Sequence, residues 1–141
     1  MSDNNHASYL NAIFIRKAQD KAIREMKVLV KNIKFDGFIV TGVSGITMGS
    51  IMARSCRKKL IIIRKENDND THSYYDVENM DTGRYIFLDD LIASGNTFRR
   101  VEKKFKAMFL MYKRSGYYSK QKAPMIIGQL LYADNTTYTK L

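Results

Sequence analysis

The chain has 141 residues, 45% of them hydrophobic, and a formal net charge of +10, which suits one domain with a real apolar core. A single proline and a single cysteine exclude a proline-rich linker protein and a disulfide scaffold, and His6 and His72 stand too far apart to suggest a zinc site. No apolar stretch approaches the ~18 residues that span a bilayer, and the opening MSDNNHAS lacks the basic and apolar regions of a signal peptide, so a soluble cytoplasmic protein without membrane contact is expected.

Residues 7–33 place Leu10, Ile13, Phe14, Ala18, Ala22, Met26, Leu29 and Ile33 at spacings of three and four, which predicts an amphipathic helix. Phe38-Ile39-Val40 follows as a short apolar strand. Gly42, Gly45 and Gly49 come next, and then a helical stretch through Ile51, Met52 and Ala53 to Lys58 or Lys59. Cys56 falls in that stretch and reads as a small core residue. Leu60 to Ile63 is a second strand, and residues 66–83 are polar without sustained periodicity, with room for a short antiparallel excursion around Tyr74 to Val77. Tyr85 to Leu88 is a third strand. A helix from about Asn96 to Ser115 carries Phe98, Val101, Phe105, Met108, Phe109 and Tyr112 on one face, and Gly116 can end it. Met125 to Tyr132 is a fourth strand, and nine residues remain as a tail.

The strands are continuous apolar runs rather than alternating ones. This predicts an α/β fold with an open, mainly parallel sheet of about four strands flanked by helices. No repeat or linker divides the chain, so residues 1–141 are expected to form one domain: an N-terminal helix in 1–35, a core in 36–132 and a tail in 133–141.

The charge is unevenly spread. Residues 1–35 sum to +4, residues 36–97 to −2 and residues 98–141 to +8. Either the basic flanks are solvated helix faces that keep the protein soluble, or they form a surface for a polyanion.

The chemistry concentrates in RYIFLDDLIASGNTFRRV, residues 84–101. An apolar strand ends in Asp89 and Asp90, where open α/β sheets bind ligands. Ala93, Ser94, Gly95, Asn96 and Thr97 are small or polar, and their N–H groups, with the start of the following helix, can turn toward an anion. Carboxylates suit hydroxyls or a hydrated cation, and the loop suits phosphate, so the pair asks for a ligand carrying both a diol and a phosphate. The plainer alternative is a turn with a helix cap, since Asp, Ser and Asn serve both roles. A Walker A partner, GxxxxGK[ST], and the dinucleotide fingerprint GxGxxG are both absent.

FLDDLIASGNT closely resembles the phosphoribosyl pyrophosphate (PRPP) motif of the type I phosphoribosyltransferases, and the order of elements agrees over residues 36–132. The resemblance implies that Asp89 and Asp90 engage the ribose hydroxyls and, indirectly, a magnesium ion carried by the substrate. It implies that Ala93, Ser94, Gly95, Asn96 and Thr97 hold the 5′-phosphate. Val43, Ser44 and Gly45 would offer backbone groups to pyrophosphate, Arg64 and Lys65 would assist there, and Ser73 and Tyr74 would close over the ligand as a catalytic lid. Gly45 as a turn residue, Arg64-Lys65 as an ordinary strand end and Ser73-Tyr74 as a chance dipeptide are the plainer alternatives. The implied reaction joins PRPP and a nitrogenous base into a nucleoside monophosphate, with magnesium as cofactor and a homodimer as the expected assembly.

The departure from the family pattern is the base-recognition hood. Only nine residues follow Tyr132, residues 1–35 read as one helix, and no fifth strand is evident. Tyr9, Tyr138 or the lid tyrosines are the aromatic groups that could stack on a base. The alternative function is a non-catalytic regulator that senses PRPP or a nucleotide and binds RNA or another acidic partner through its basic helices. The intact acidic pair favours the enzyme over nucleic-acid binding.

Overall fold

The computed structural model describes residues 15–64, 77–90, 95–116, 120, 122–133 and 135–141. In chain order the elements are α1 (Arg16–Val30), β1 (Gly37–Val40), α2 (Gly42–Cys56), β2 (Lys59–Ile63), β3 (Val77–Glu78), β4 (Arg84–Asp89), α3 (Asn96–Arg114), β5 (Met125–Leu131) and β6 (Thr137–Lys140). The strands form one sheet in the order β3-β2-β1-β4-β5-β6.

The four apolar runs of the sequence are the four central strands, and all their pairings are parallel: β2 with β1, β1 with β4, and β4 with β5. Their continuous hydrophobicity follows from burial on both faces. Phe38, Val40, Ile86 and Leu88 point into a layer shared with Met26 and Val30 of α1 and Met48 and Met52 of α2. Ile39, Ile61, Tyr85 and Phe87 point the other way, onto Val101, Phe105 and Met108 of α3. The sheet is therefore the middle layer of three, as the period-two alternation of strand side chains requires.

Six strands stand where about four are expected, and both additions are antiparallel edges. β3 pairs with β2 through Ile62–Glu78 and Ile63–Val77, at the end of the excursion anticipated around Tyr74 to Val77. The expected tail, 133–141, is not a tail: Thr137–Lys140 pairs antiparallel with β5. The segment TYTK carries little apolar signal because an edge strand buries only one side chain in the layer below. That side chain is Tyr138, which joins the α1–α2 layer and lies directly over Gly128, where any Cβ would meet its ring at 2.4 Å. Thr136 Oγ1 donates to Glu25 of α1 at 2.7 Å, and the Leu141 N–H donates to the Ile127 carbonyl at 3.0 Å.

A second correction concerns residues 42–50. Three glycines suggest a loop, but α2 begins at Gly42 itself. Gly45 and Gly49 are spaced four apart on the helix face that meets the sheet, and they let it approach closely. Among the described residues, the first helix covers Arg16–Val30 of the expected 7–33, and α3 spans the expected range almost residue for residue.

Candidate functional site

The parallel arrangement sends β1, β2, β4 and β5 to one edge with their carboxyl ends, and α2 starts at that edge. Asp89 ends β4. It is 7% exposed, and its Oδ1 accepts the N–H of Asp90 at 2.9 Å. The Asp90 carbonyl in turn accepts the N–H groups of Tyr132 and Ala133, at 3.3 and 2.9 Å, so the chain leaving β5 is tied to the acidic pair.

The first turn of α2 faces the same place. Thr41 occupies the N-cap position in extended conformation, but its side chain makes no cap hydrogen bond and no acidic residue lies in the first turn. The opening N–H groups of a helix have no acceptor within it. Here no acidic side chain of that first turn neutralises their partial positive charge. The Thr41 hydroxyl is buried and has no hydrogen-bond partner among the described residues. A Cβ on Gly45 would lie 3.4 Å from the Leu88 carbonyl, so this turn rests on the strand residue just before Asp89. The Tyr132 hydroxyl donates to the Ser44 carbonyl at 3.0 Å. Burial first, and then the charge of Asp90, push the Tyr132 phenol well above the ordinary tyrosine range; Asp89 adds to this, and the bond to Ser44 opposes it.

Of the residues singled out from sequence, the structure brings Val43, Ser44 and Gly45 together with Asp89 and Asp90. Gly95, with a left-handed φ of 77°, is the N-cap of α3 and again offers no side-chain cap. Asn96 and Thr97 are exposed in the first turn of that helix, six and seven residues beyond Asp90. Arg64 ends β2, two strands from β4. Its guanidinium pairs with Glu78 across the β2–β3 hairpin and its carbonyl accepts Lys104 Nζ at 3.0 Å. Tyr138 packs over Gly128 in the core layer rather than presenting its ring to the edge. Lys65, Ser73, Tyr74, Ala93 and Ser94 lie outside the described residues.

The connection from β2 to β3, residues 64–76, starts and finishes at this edge. Its two ends are fixed by the Ile63–Val77 pairing, the Arg64–Glu78 ion pair and an Asn79 side-chain bond to the Leu60 carbonyl at 2.9 Å. Sequence reasoning missed one contributor. Tyr132 reads as the apolar end of a strand; no local signal marks it, because its role comes from elements that meet only in the fold. A shallow hollow lined by Thr82, Gly83, Arg84, Lys122, Ala123 and Met125 lies at the opposite end of the sheet.

No group of three or more metal-binding side chains gathers among the described residues. Asp89 and Asp90 are the acidic donors at the edge. Two carboxylates suit a hydrated magnesium ion that keeps several waters, and they do not form an all-protein cage.

Neither a family model nor a curated protein matches the sequence. Solved structures do. The chain is similar to an orotate phosphoribosyltransferase from Aeropyrum pernix, with a TM-score of 0.60 at 15% identity, over 82% of this chain and 58% of that one. It is similar to the UMP synthase of Leishmania donovani, with a TM-score of 0.61 at 17% identity, over 87% of this chain and 24% of that one. An adenine phosphoribosyltransferase from Thermoanaerobacter pseudethanolicus gives 0.58 at 16% identity, over 83% and 69%. The chain thus spans under two thirds of the first two proteins. The likeness covers most of this chain, and the protein has the type I phosphoribosyltransferase fold.

Proposed function

We propose that the protein is a PRPP-dependent phosphoribosyltransferase. The observation that carries this reading is the meeting, at one sheet edge, of an acidic pair with an uncapped helix start: Asp89-Asp90 beside the first turn of α2, where the buried Thr41 hydroxyl has no partner among the described residues. A diol and a pyrophosphate on one sugar would engage both.

In this reading Asp89 and Asp90 accept hydrogen bonds from the ribose hydroxyls. The N–H groups of Val43, Ser44 and Gly45 face the pyrophosphate, and Gly95, Asn96 and Thr97, with Ala93 and Ser94, hold the 5′-phosphate. Magnesium, when bound with the substrate, supplies charge neutralisation on the pyrophosphate. The bond from the anomeric carbon to pyrophosphate breaks, pyrophosphate leaves with the electron pair, and a base nitrogen forms the new bond and loses its proton. Holding the two reactants in line and stabilising the charge that grows on the leaving group are the protein's contributions. Ser73 and Tyr74, with Lys65, belong to the connection anchored by Arg64 and Glu78, and would close over the site and exclude water. A cytoplasmic homodimer is part of the same reading.

A second reading rests on a different observation. Arg99, Lys103, Lys106, Lys113 and Arg114 are all exposed on α3, the helix that covers one face of the sheet. A PRPP-sensing regulator that binds RNA would use such a face. Base-dependent release of pyrophosphate from PRPP, assayed across the common nucleobases, nicotinamide and orotate, tests the enzyme reading; selective RNA binding with no turnover on any base would replace it with the regulator.

A further inference from the structure

We infer that Tyr132 is a positioning residue that sets the distance between the acidic pair and the first turn of α2, and so tunes the site toward ligands that bridge the two. The inference rests on the PRPP reading above and adds to it a residue that neither the motif nor the order of elements points to.

Tyr132 holds both halves of the site at once. Its main-chain N–H donates to the Asp90 carbonyl at 3.3 Å, beside the shorter bond from Ala133 at 2.9 Å. Its side chain leaves that point and crosses to Ser44, 88 residues earlier, where the hydroxyl donates to the backbone carbonyl at 3.0 Å. Thr47, by contrast, bonds back to the Val43 carbonyl within the same helix, at 2.8 Å. The residue is 3% exposed and belongs to the core layer with Val40, Leu88 and Leu130.

A phenylalanine would fill that volume equally well. A buried hydroxyl costs free energy unless it is bonded, so its presence calls for a use, and the Ser44 carbonyl is the partner it has. The bond acts on backbone, and Ser44 is one of the residues whose N–H groups face the edge. The Ser44 carbonyl shares its peptide plane with the Gly45 N–H, so holding it fixes where that donor points relative to Asp89 and Asp90.

The role predicts a split between ligands. PRPP reaches both the acidic pair and the α2 start, whereas ribose 5-phosphate reaches only the acids and the α3 loop. Tyr132→Phe removes the hydroxyl and keeps the ring. Calorimetric titration of the full chain with magnesium should show PRPP affinity falling about threefold to tenfold, with ribose 5-phosphate affinity changed by less than about twofold. The ligand-free melting temperature should stay close to that of the parent. If Y132F does not give folded protein, Tyr132→Met, which also lacks the hydroxyl, is read in the same way. An equal loss for both ligands, or no loss for either, overturns the positioning role while leaving the PRPP reading intact. Failure of the parent protein to bind PRPP overturns both.

Discussion

Gly49 of α2 lies so close to Val40 of β1 that a Cβ at position 49 would come within 2.4 Å of the valine Cγ1 and 3.3 Å of Leu60 Cδ1. Val40 is fully buried and cannot swing away. This contact sets the height of α2 above the sheet, and with it the position of Val43 to Gly45 beside Asp89. In Gly49→Ala the helix gains about 0.5–1 kcal/mol from the better helix former, but forcing a methyl group into a filled core costs about 1–3 kcal/mol. The steric cost wins. G49A should unfold at lower urea concentration with an unchanged m-value; a stability equal to or above the parent's would show that α2 can lift without penalty.

The acidic pair should matter to the ligand far more than to the fold. Asn at both positions keeps size and one acceptor oxygen, so the bond from the Asp90 N–H to residue 89 can persist. What disappears is the charge that favours hydroxyl donors and hydrated magnesium. The double variant D89N/D90N should lose PRPP affinity by about tenfold or more, with a melt within a few degrees of the parent. Unchanged affinity would return the two acids to the role of turn and cap.

A pH test addresses the far end of the sheet. Lys59 Nζ donates to Asp81 Oδ2 at 2.5 Å, and this bond, ahead of any other cause, holds the Asp81 carboxyl below the usual aspartate range. A carboxyl depressed in the folded state adds stability above its unfolded pKa, and that stability is lost as pH falls through the folded value. Both side chains are substantially exposed, so the pair contributes only about 0.5 kcal/mol. Asp81→Asn should therefore be slightly less stable than the parent at pH 7, and the difference should shrink below the ordinary aspartate pKa and vanish once pH is below the depressed folded value. A difference that persists in acid would mean that something other than charge is lost.

The basic face of α3 separates the two functional readings. Phosphate contacts to single-stranded RNA lower the logarithm of affinity by about 0.7 per contact for each decade of salt. If the face only keeps the protein soluble or steers an anionic substrate, RNA association should be weak, unselective and gone near physiological salt. Titration of a random RNA pool at two salt concentrations, with and without PRPP, checks this. Selective binding that survives salt and responds to PRPP would favour the regulator.

The parts of the fold legible in the sequence are those whose signal is local. Phe38–Val40, Leu60–Ile63, Tyr85–Leu88 and the start of β5 are apolar on both faces because helices cover both, and α3 repeats its apolar residues with helical period up to Gly116. Residues 42–50 were less legible, because a glycine that permits a turn and a glycine that permits close packing look alike until Val40 and Leu88 are seen beneath them. β6 escaped notice because an edge strand of TYTK has one inward residue, and Gly128, which makes room for it, is ten residues away. The acidic pair was legible at the site, since two carboxylates behind a buried strand are unusual anywhere. Tyr132 was not, since nothing beside it in the chain records that β5 and β1 end at the same edge.

The central claim is that this edge binds a sugar carrying both a diol and a pyrophosphate, and thermal melting with PRPP and magnesium tests it most directly. At 100 times the dissociation constant, a ligand bound only by the folded state adds about 2.7 kcal/mol of stability. The account predicts a clear rise in melting temperature with PRPP, a smaller one with ribose 5-phosphate at equal concentration, and a rise with PRPP cut to about half or less in D89N/D90N. A melt left unchanged by saturating PRPP, ribose 5-phosphate and nucleoside monophosphates alike would contradict it.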